Sequence, residues 1–239
     1  QDIIASQYAP LTESISKNDL ALPFVIREIN FRYGDGLKFV DYLYQIGKWQ
    51  MVNLAYQNHP QTSEQILHPE KFQTRETAIP LETPNLQYIL GPEWRFLAAD
   101  TLGELGTEMV LGYGANGLSH INPLAASEAA AGWGGDQYQV YYRSTTNSTV
   151  LAVNWIWDTD MEWQREAQAD EFWNAMWQHL DLRYRGDQVE TESGDCWQLL
   201  NDHYSCIFRS GLEVLWISSP DLDTMESIRE QYASFCPSE

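Results

Sequence analysis

The sequence predicts an α+β protein: a mainly helical first half, then an antiparallel sheet of about five strands covered by two helices. Three observations carry this expectation. Apolar residues recur at helical spacing between Leu20 and Tyr56. The pattern turns to alternation from Gln137 to Trp157, across the polar Thr145-Thr146-Asn147-Ser148. Short apolar runs near the C-terminus are separated by Asn201-Asp202 and by Ser210-Gly211, as strands of a meander would be. The second half therefore reads β-β-α-β-β-β-α, and the expectation is a two-layer packing with both helices on one face.

Each element follows from local chemistry. Residues 2–18 carry a weak helical stripe broken by Pro10, and Asn18-Asp19 caps the next element. Leu20 to Phe31 is apolar with Pro23 near its start, as a helix or a buried segment would be. Tyr33-Gly34-Asp35-Gly36 reads as a turn, followed by a helix from Leu37 to Ile46 that Gly47 ends. Lys48 to Tyr56 is a further helix, stopped by Asn58-His59-Pro60. Residues 74–81 are extended, and Trp94 to Ala98 is a strand. Asp100 or Thr101 caps a helix from Leu102 to about Tyr113, and Leu124 to Ala131 forms a short one stopped by Gly132. Gln137–Ser144 and Thr149–Trp157 make a hairpin. Asp158 or Thr159 caps a long helix over about 160–180, with Ala169, Phe172, Trp173, Met176 and Leu180 on its buried face. Residues 186–194 read as a loop. Strands follow at Cys196–Leu200, Tyr204–Arg209 and Leu212–Ser218, and Pro220 opens a last helix over about 221–234. One continuous unit over residues 1–239 is expected; the alternative is a sub-boundary near 120, with 1–120 mainly helical and 121–239 bearing the sheet.

Charge and cysteines bound the function. With 34 acidic against 14 basic residues the net charge is −20, which repels nucleic acid and anionic lipid; solubility alone is the plainest reading, and the charge also suits an extracytoplasmic protein, a salty habitat or a cationic partner. No run of eighteen apolar residues occurs, so no membrane-spanning helix is expected. Cys196 and Cys206 are symmetric about Asn201, so they face each other across a hairpin and can form a disulfide. That bond implies an oxidising, extracytoplasmic compartment: secreted, cell-surface or periplasmic. Cys236 is then the odd thiol. The chain begins at Gln1 and not Met, and no signal peptide is visible, so a processed or trimmed chain is expected.

Polar chemistry concentrates in Thr62–Phe72. Thr62 or Ser63 is a natural N-cap, Glu64 and Gln65 occupy the first turn, and Pro69 ends the turn at His68. Glu64 and His68, four apart, would share one face and could hold a proton or one metal ion. The plainer reading is a capped single-turn helix whose side chains bond a loop, because two ligands do not make a metal site. His59, His68, His120, His179 and His203 show no metal-ligand spacing on a helix, so a two-histidine site would need Glu64 or Glu70 as well. A sugar-cleaving pair would draw on Glu64, Glu70, Glu104 and Asp136, with Trp133 as platform. Against it, Glu64 and Glu104 each sit in a helix first turn, where a carboxylate is expected for the helix dipole alone. The Gly132-Trp133-Gly134-Gly135-Asp136 stretch precedes a strand and carries an acid, which is wrong for a phosphate cradle. It reads better as backbone turning around Trp133, with Asp136 bonding loop amides. Asn147-Ser148-Thr149 matches a glycosylation acceptor, a pattern short enough to arise by chance.

Four phrases in order carry a resemblance. They are Gly34-Asp35-Gly36-Leu37-Lys38-Phe39-Val40, the Thr62–Phe72 stretch preceded by Asn58-His59-Pro60, Asp100-Thr101-Leu102-Gly103-Glu104-Leu105, and Ala131-Gly132-Trp133-Gly134-Gly135-Asp136-Gln137-Tyr138. Over roughly residues 20–220 the chain resembles the C-terminal part of secreted or lipid-anchored metallopeptidase-like proteins of the Chloroflexi and haloarchaeal type. In that group a His-Glu-x-x-His helix and a further acidic ligand lie upstream of the matched part. The resemblance implies peptidase-like ancestry, with zinc only where an upstream segment supplies ligands and with a lipid anchor only upstream. Glu64, His68 and Glu70 would then line a cleft that this segment completes. The leading expectation is a protein acting by binding or assembly, its partner another protein or its own N-terminal segment. The alternatives are a zinc metallopeptidase with ligands on another segment, and a carbohydrate-binding or carbohydrate-active protein.

Overall fold

The computed structural model describes residues 22–158, 162–189, 191, 194–199 and 203–236, with only the backbone of 162–165. The stripe over residues 2–18, the caps at Asn18-Asp19 and Thr159, and the Leu200-Asn201-Asp202 turn lie outside these residues. The fold is α+β, built on a sheet of seven described strands.

Helix α1 spans Pro23–Asn30, its proline in the first turn where no amide partner is lost. The expected turn at Tyr33–Gly36 does not form. Phe31–Asp35 instead makes a π-helical turn that runs into α2, Gly36–Gln57. The extra residue per turn places Asp35 against Arg27, and that ion pair (2.8 Å) holds the irregular turn in place. Helix α2 breaks where Gly47 lies, at the Gly47–Lys48 kink, and resumes to Gln57. Phe39, Leu43, Val52 and Phe72 form a small core of this helical layer, separate from the cores on the sheet.

Two short helices follow, α3 at Glu64–Leu67 and α4 at Pro69–Thr74, joined through His68. A strap over 76–84, with no helix or strand of its own, crosses to the sheet, where the Ile79 amide donates to the Gly134 carbonyl (2.7 Å). The strap can approach this closely because residue 135 is glycine: a Cβ there would lie 2.4 Å from the Ile79 carbonyl oxygen. After α5, Gln87–Leu90, come β1, Arg95–Asp100, and α6, Gly103–Gly112. Helix α7, Pro123–Ala130, is capped by the Asn122 side chain.

Strands β2, Trp133–Arg143, and β3, Ser148–Trp157, form the expected hairpin, followed by α8, Glu162–Tyr184. The glycines at 134 and 135 thus lie inside β2, at a bulge in its pairing with β3. The expected loop at 186–194 contains a short strand, β4, Gln188–Val189. Then come β5, Asp195–Gln198, β6, Tyr204–Ser210, β7, Glu213–Ser219, and α9, Leu222–Arg229, which Asp221 caps. The strand order is β1-β2-β3-β7-β6-β5-β4, and every described pairing is antiparallel. Strand β1 precedes residue 120 and pairs with β2 beyond it, so the sheet itself spans that position.

Alternation along the central strands sends side chains to two cores. Val153, Trp155, Trp157, Val214 and Trp216 pack with Ala169, Phe172, Met176 and Leu180 of α8. Val150, Ala152, Leu215 and Ile217 pack on the other face with Met225 and Ile228 of α9. The two helices therefore cover opposite faces, and the expected one-sided cover is corrected. Both faces of β3 and β7 are apolar, so each needs its own lid. Cys196 and Cys206 are register partners in β5 and β6 and form the expected disulfide; Cys236 is free and exposed.

Candidate functional site

The site gathers where α6 begins against the junction of α3 and α4. Helix α6 has no side-chain cap from its own flanks, neither Asp100 nor Thr101 serving as one. Its first amides are satisfied from far along the chain. The Leu102 and Gly103 amides donate to the two Asp136 oxygens (2.7 and 2.8 Å), and Trp133 Nε1 donates to the same carboxylate (2.9 Å). The Leu105 amide donates to Ser63 Oγ (3.2 Å). Gly103 makes this possible: its φ is +69°, and a Cβ there would lie 2.7 Å from Ser63 Oγ. Burial pushes the Asp136 carboxyl above its ordinary pKa, against the pull of the amides it accepts.

The next residue, Glu104, is buried, and its Oε1 accepts a hydrogen bond from His68 Nε2 (2.8 Å). Its Oε2 is buried without a protein partner. The other edge of the imidazole, Nδ1, faces the exposed Glu70 carboxylate at 3.8 Å. His68 is half-buried, and its bond to Glu104 raises its pKa above the ordinary histidine value. Glu64 and His68, four apart, do not pair with each other. His68 sits at φ −122° with Pro69 after it, which takes its ring out of the α3 helical path.

Glu64, 3% exposed, bonds Lys71 Nζ instead (2.7 Å), and Lys71 also reaches Glu76. Burial raises the Glu64 pKa to about 7, with Lys71 opposing the shift. One turn along α6 from Glu104, the buried Glu108 receives a two-point bond from Arg27 (2.8 and 2.7 Å). Two carboxylates of one helix thus bind two parts of the helical layer: His68 takes Glu104, and Arg27 takes Glu108.

Of the residues singled out in sequence, Glu64, His68, Glu70 and Glu104 fall together. Asp136 and Trp133 lie beside them as supports: Trp133 is 1% exposed and offers no face to a sugar. Sequence reasoning missed Lys71, Glu76, Arg27 and Glu108. The available signal was the pair of acids four apart in the apolar run Leu102–Leu111, where a solvated face is not expected.

The arrangement orients an imidazole. Ionised Glu104 fixes Nε2 as a donor and leaves Nδ1 outward, able to accept from or donate to a bound group. A zinc ion does not fit these residues alone: Nε2 is committed to Glu104, and among the described residues no three ligands converge.

The family model described as "Domain of unknown function (DUF8575)" matches residues 94–229. No curated protein and no solved structure matches the chain. The match takes in more than half of the chain, from just before β1 to the end of α9, so the protein belongs to the DUF8575 family.

Proposed function

We propose that this chain is an extracytoplasmic protein that acts by binding, its oriented His68 contacting a polypeptide partner. The observation that carries this reading is the buried Glu104 carboxylate holding a half-exposed imidazole, with one of its own oxygens unpartnered. A buried acceptor left so is costly unless a ligand or neighbouring segment supplies a donor. The helical layer also exposes Tyr33, Trp49 and Tyr56, rings of the kind that polypeptide contacts use. The Cys196–Cys206 bond supports an oxidising compartment. The resemblance to the C-terminal part of metallopeptidase-like proteins supports a polypeptide as the thing bound, either another protein or a segment of the same one.

The dyad also favours a second reading, a zinc metallopeptidase whose metal ligands come from another segment. A carboxylate-fixed imidazole is a donor set ready for charge developing on a peptide carbonyl. The two readings separate on casein. The binding reading expects saturable binding of unfolded casein without cleavage, weakened about tenfold in His68→Asn. Cleavage at an ordinary rate by the chain alone would overturn it. Chelator-sensitive cleavage only by a longer form with stoichiometric zinc would establish the second.

A further inference from the structure

A second polar site lies away from His68, on the sheet face that α9 covers. A cavity of about 300 Å³ opens between the strap at 81–84 and the turn at 231–234. Its floor is Asn154 of β3 and Glu213 at the start of β7. Asn154 is 3% exposed. Its Nδ2 donates to Glu213 Oε2 (2.9 Å), which fixes the amide's orientation, because the flipped amide would set oxygen against carboxylate. Asn154 Oδ1 is left buried with no protein partner. Ser234 donates to the other Glu213 oxygen, and Glu82 adds a second carboxylate at the rim. Among the described residues, no lysine, arginine or histidine lines the cavity. Leu81, Pro84 and Tyr232 supply apolar wall.

We propose that this cavity binds an organic cation, the ammonium or guanidinium head of a lysine or arginine side chain or of a free alkyl amine. The charge is one-sided: the fixed acceptors are the Asn154 amide oxygen and the Glu213 carboxylate, exposed Glu82 adds negative charge at the rim, and the ligand must bring the positive charge. A head group with three or more N–H donors satisfies Asn154 Oδ1 and Glu213 together, and its methylene stem lies along the apolar wall. The volume exceeds what a bare cation fills and suits a side chain. The net charge of −20 favours the approach of such a ligand from a distance.

The test titrates the full chain with the blocked amides of lysine, arginine and norleucine and with butylamine, following side-chain amide NMR signals and heat. The lysine and arginine amides are expected to shift the Asn154 amide signal, and the uncharged norleucine amide to bind at least about tenfold more weakly. Glu213→Gln and the rim variant Glu82→Gln should each weaken the cationic ligands, Glu213→Gln by about tenfold, with the far-ultraviolet spectrum unchanged. Lysine amide binding tighter than butylamine assigns the site to peptide side chains; equal binding assigns it to free amines. Norleucine amide binding as well as lysine amide, unchanged affinity in both variants, or no shift at the highest soluble amine concentration would each overturn the proposal.

Discussion

Ser63 caps a helix that starts forty residues after it: its Oγ accepts from the Leu105 amide at 3.2 Å, a contact 42 positions apart in sequence. The α6 N-terminus is thus closed by residues of the helical layer and of β2, and not by its own flank. Ser63→Ala should cost about 1 kcal/mol, the usual loss for a cap. The check is urea unfolding followed by tryptophan fluorescence. A cost near zero would mean that water replaces Ser63 without loss.

Asp136 supports more. It accepts two backbone amides and one indole donor while buried. Asp136→Ala leaves all three without their acceptor, and a loss of about 3 kcal/mol or more is expected, as for a buried charged hydrogen-bond centre. Asp136→Asn retains shape but gives up one acceptor, and should fall between. Paired urea midpoints rank the two.

His68 should titrate above the ordinary histidine value, because its protonated form pairs with Glu104. Its contribution to stability is full below the unfolded pKa near 6.5 and is lost as pH rises through the raised folded value. NMR of the imidazole checks this. In Glu104→Gln the midpoint should drop towards the ordinary value; an unmoved midpoint would show that Glu104 does not set it.

Two buried groups should tilt the pH–stability curve in opposite directions. His179 Nδ1 donates to the Ser119 carbonyl, and burial lowers its pKa to about 4. The unfolded chain takes up that proton near 6.5, so stability falls between pH 6.5 and 4, by about 3 kcal/mol at most. Glu64 keeps its proton in the fold up to about 7 and releases it near 4.5 when unfolded, so its contribution is present below 4.5 and lost as pH rises to 7. Urea midpoints across this range should rise towards acid in His179→Gln relative to the parent. They should fall towards acid in Glu64→Gln relative to the parent.

The disulfide links β5 to β6 across ten residues. Replacing both cysteines by serine should cost about 2–3 kcal/mol in the loop-closure picture. Alkylation of the native protein followed by mass spectrometry should label Cys236 alone.

The sheet was legible because its signals are local. Alternation in Gln137–Trp157 and the symmetry of Cys196 and Cys206 about Asn201 each depend on neighbours within one hairpin. The π-turn at Phe31–Asp35 was not, because Asp35 is drawn to Arg27 by a contact that glycine-based turn rules do not contain. The site was half legible. Glu64 and His68 stood out by spacing, yet their partners are Lys71 and Glu104, since Pro69 redirects the chain between them. Similarly, the side on which α9 packs is decided by Met225 and Ile228 meeting the even-numbered residues of β3, a choice no single segment encodes.

The ties from α6 have a mechanical meaning. Glu104 to His68 and Glu108 to Arg27 fasten the front helices by charge, while those helices keep a small greasy centre of their own around Phe39, Leu43, Val52 and Phe72. Both ties end on buried carboxylates, so brine screens them little, while the rivet at His68 gives up its charge as pH climbs through the raised histidine value; the joint between the front piece and the seven-stranded slab therefore slackens towards alkali.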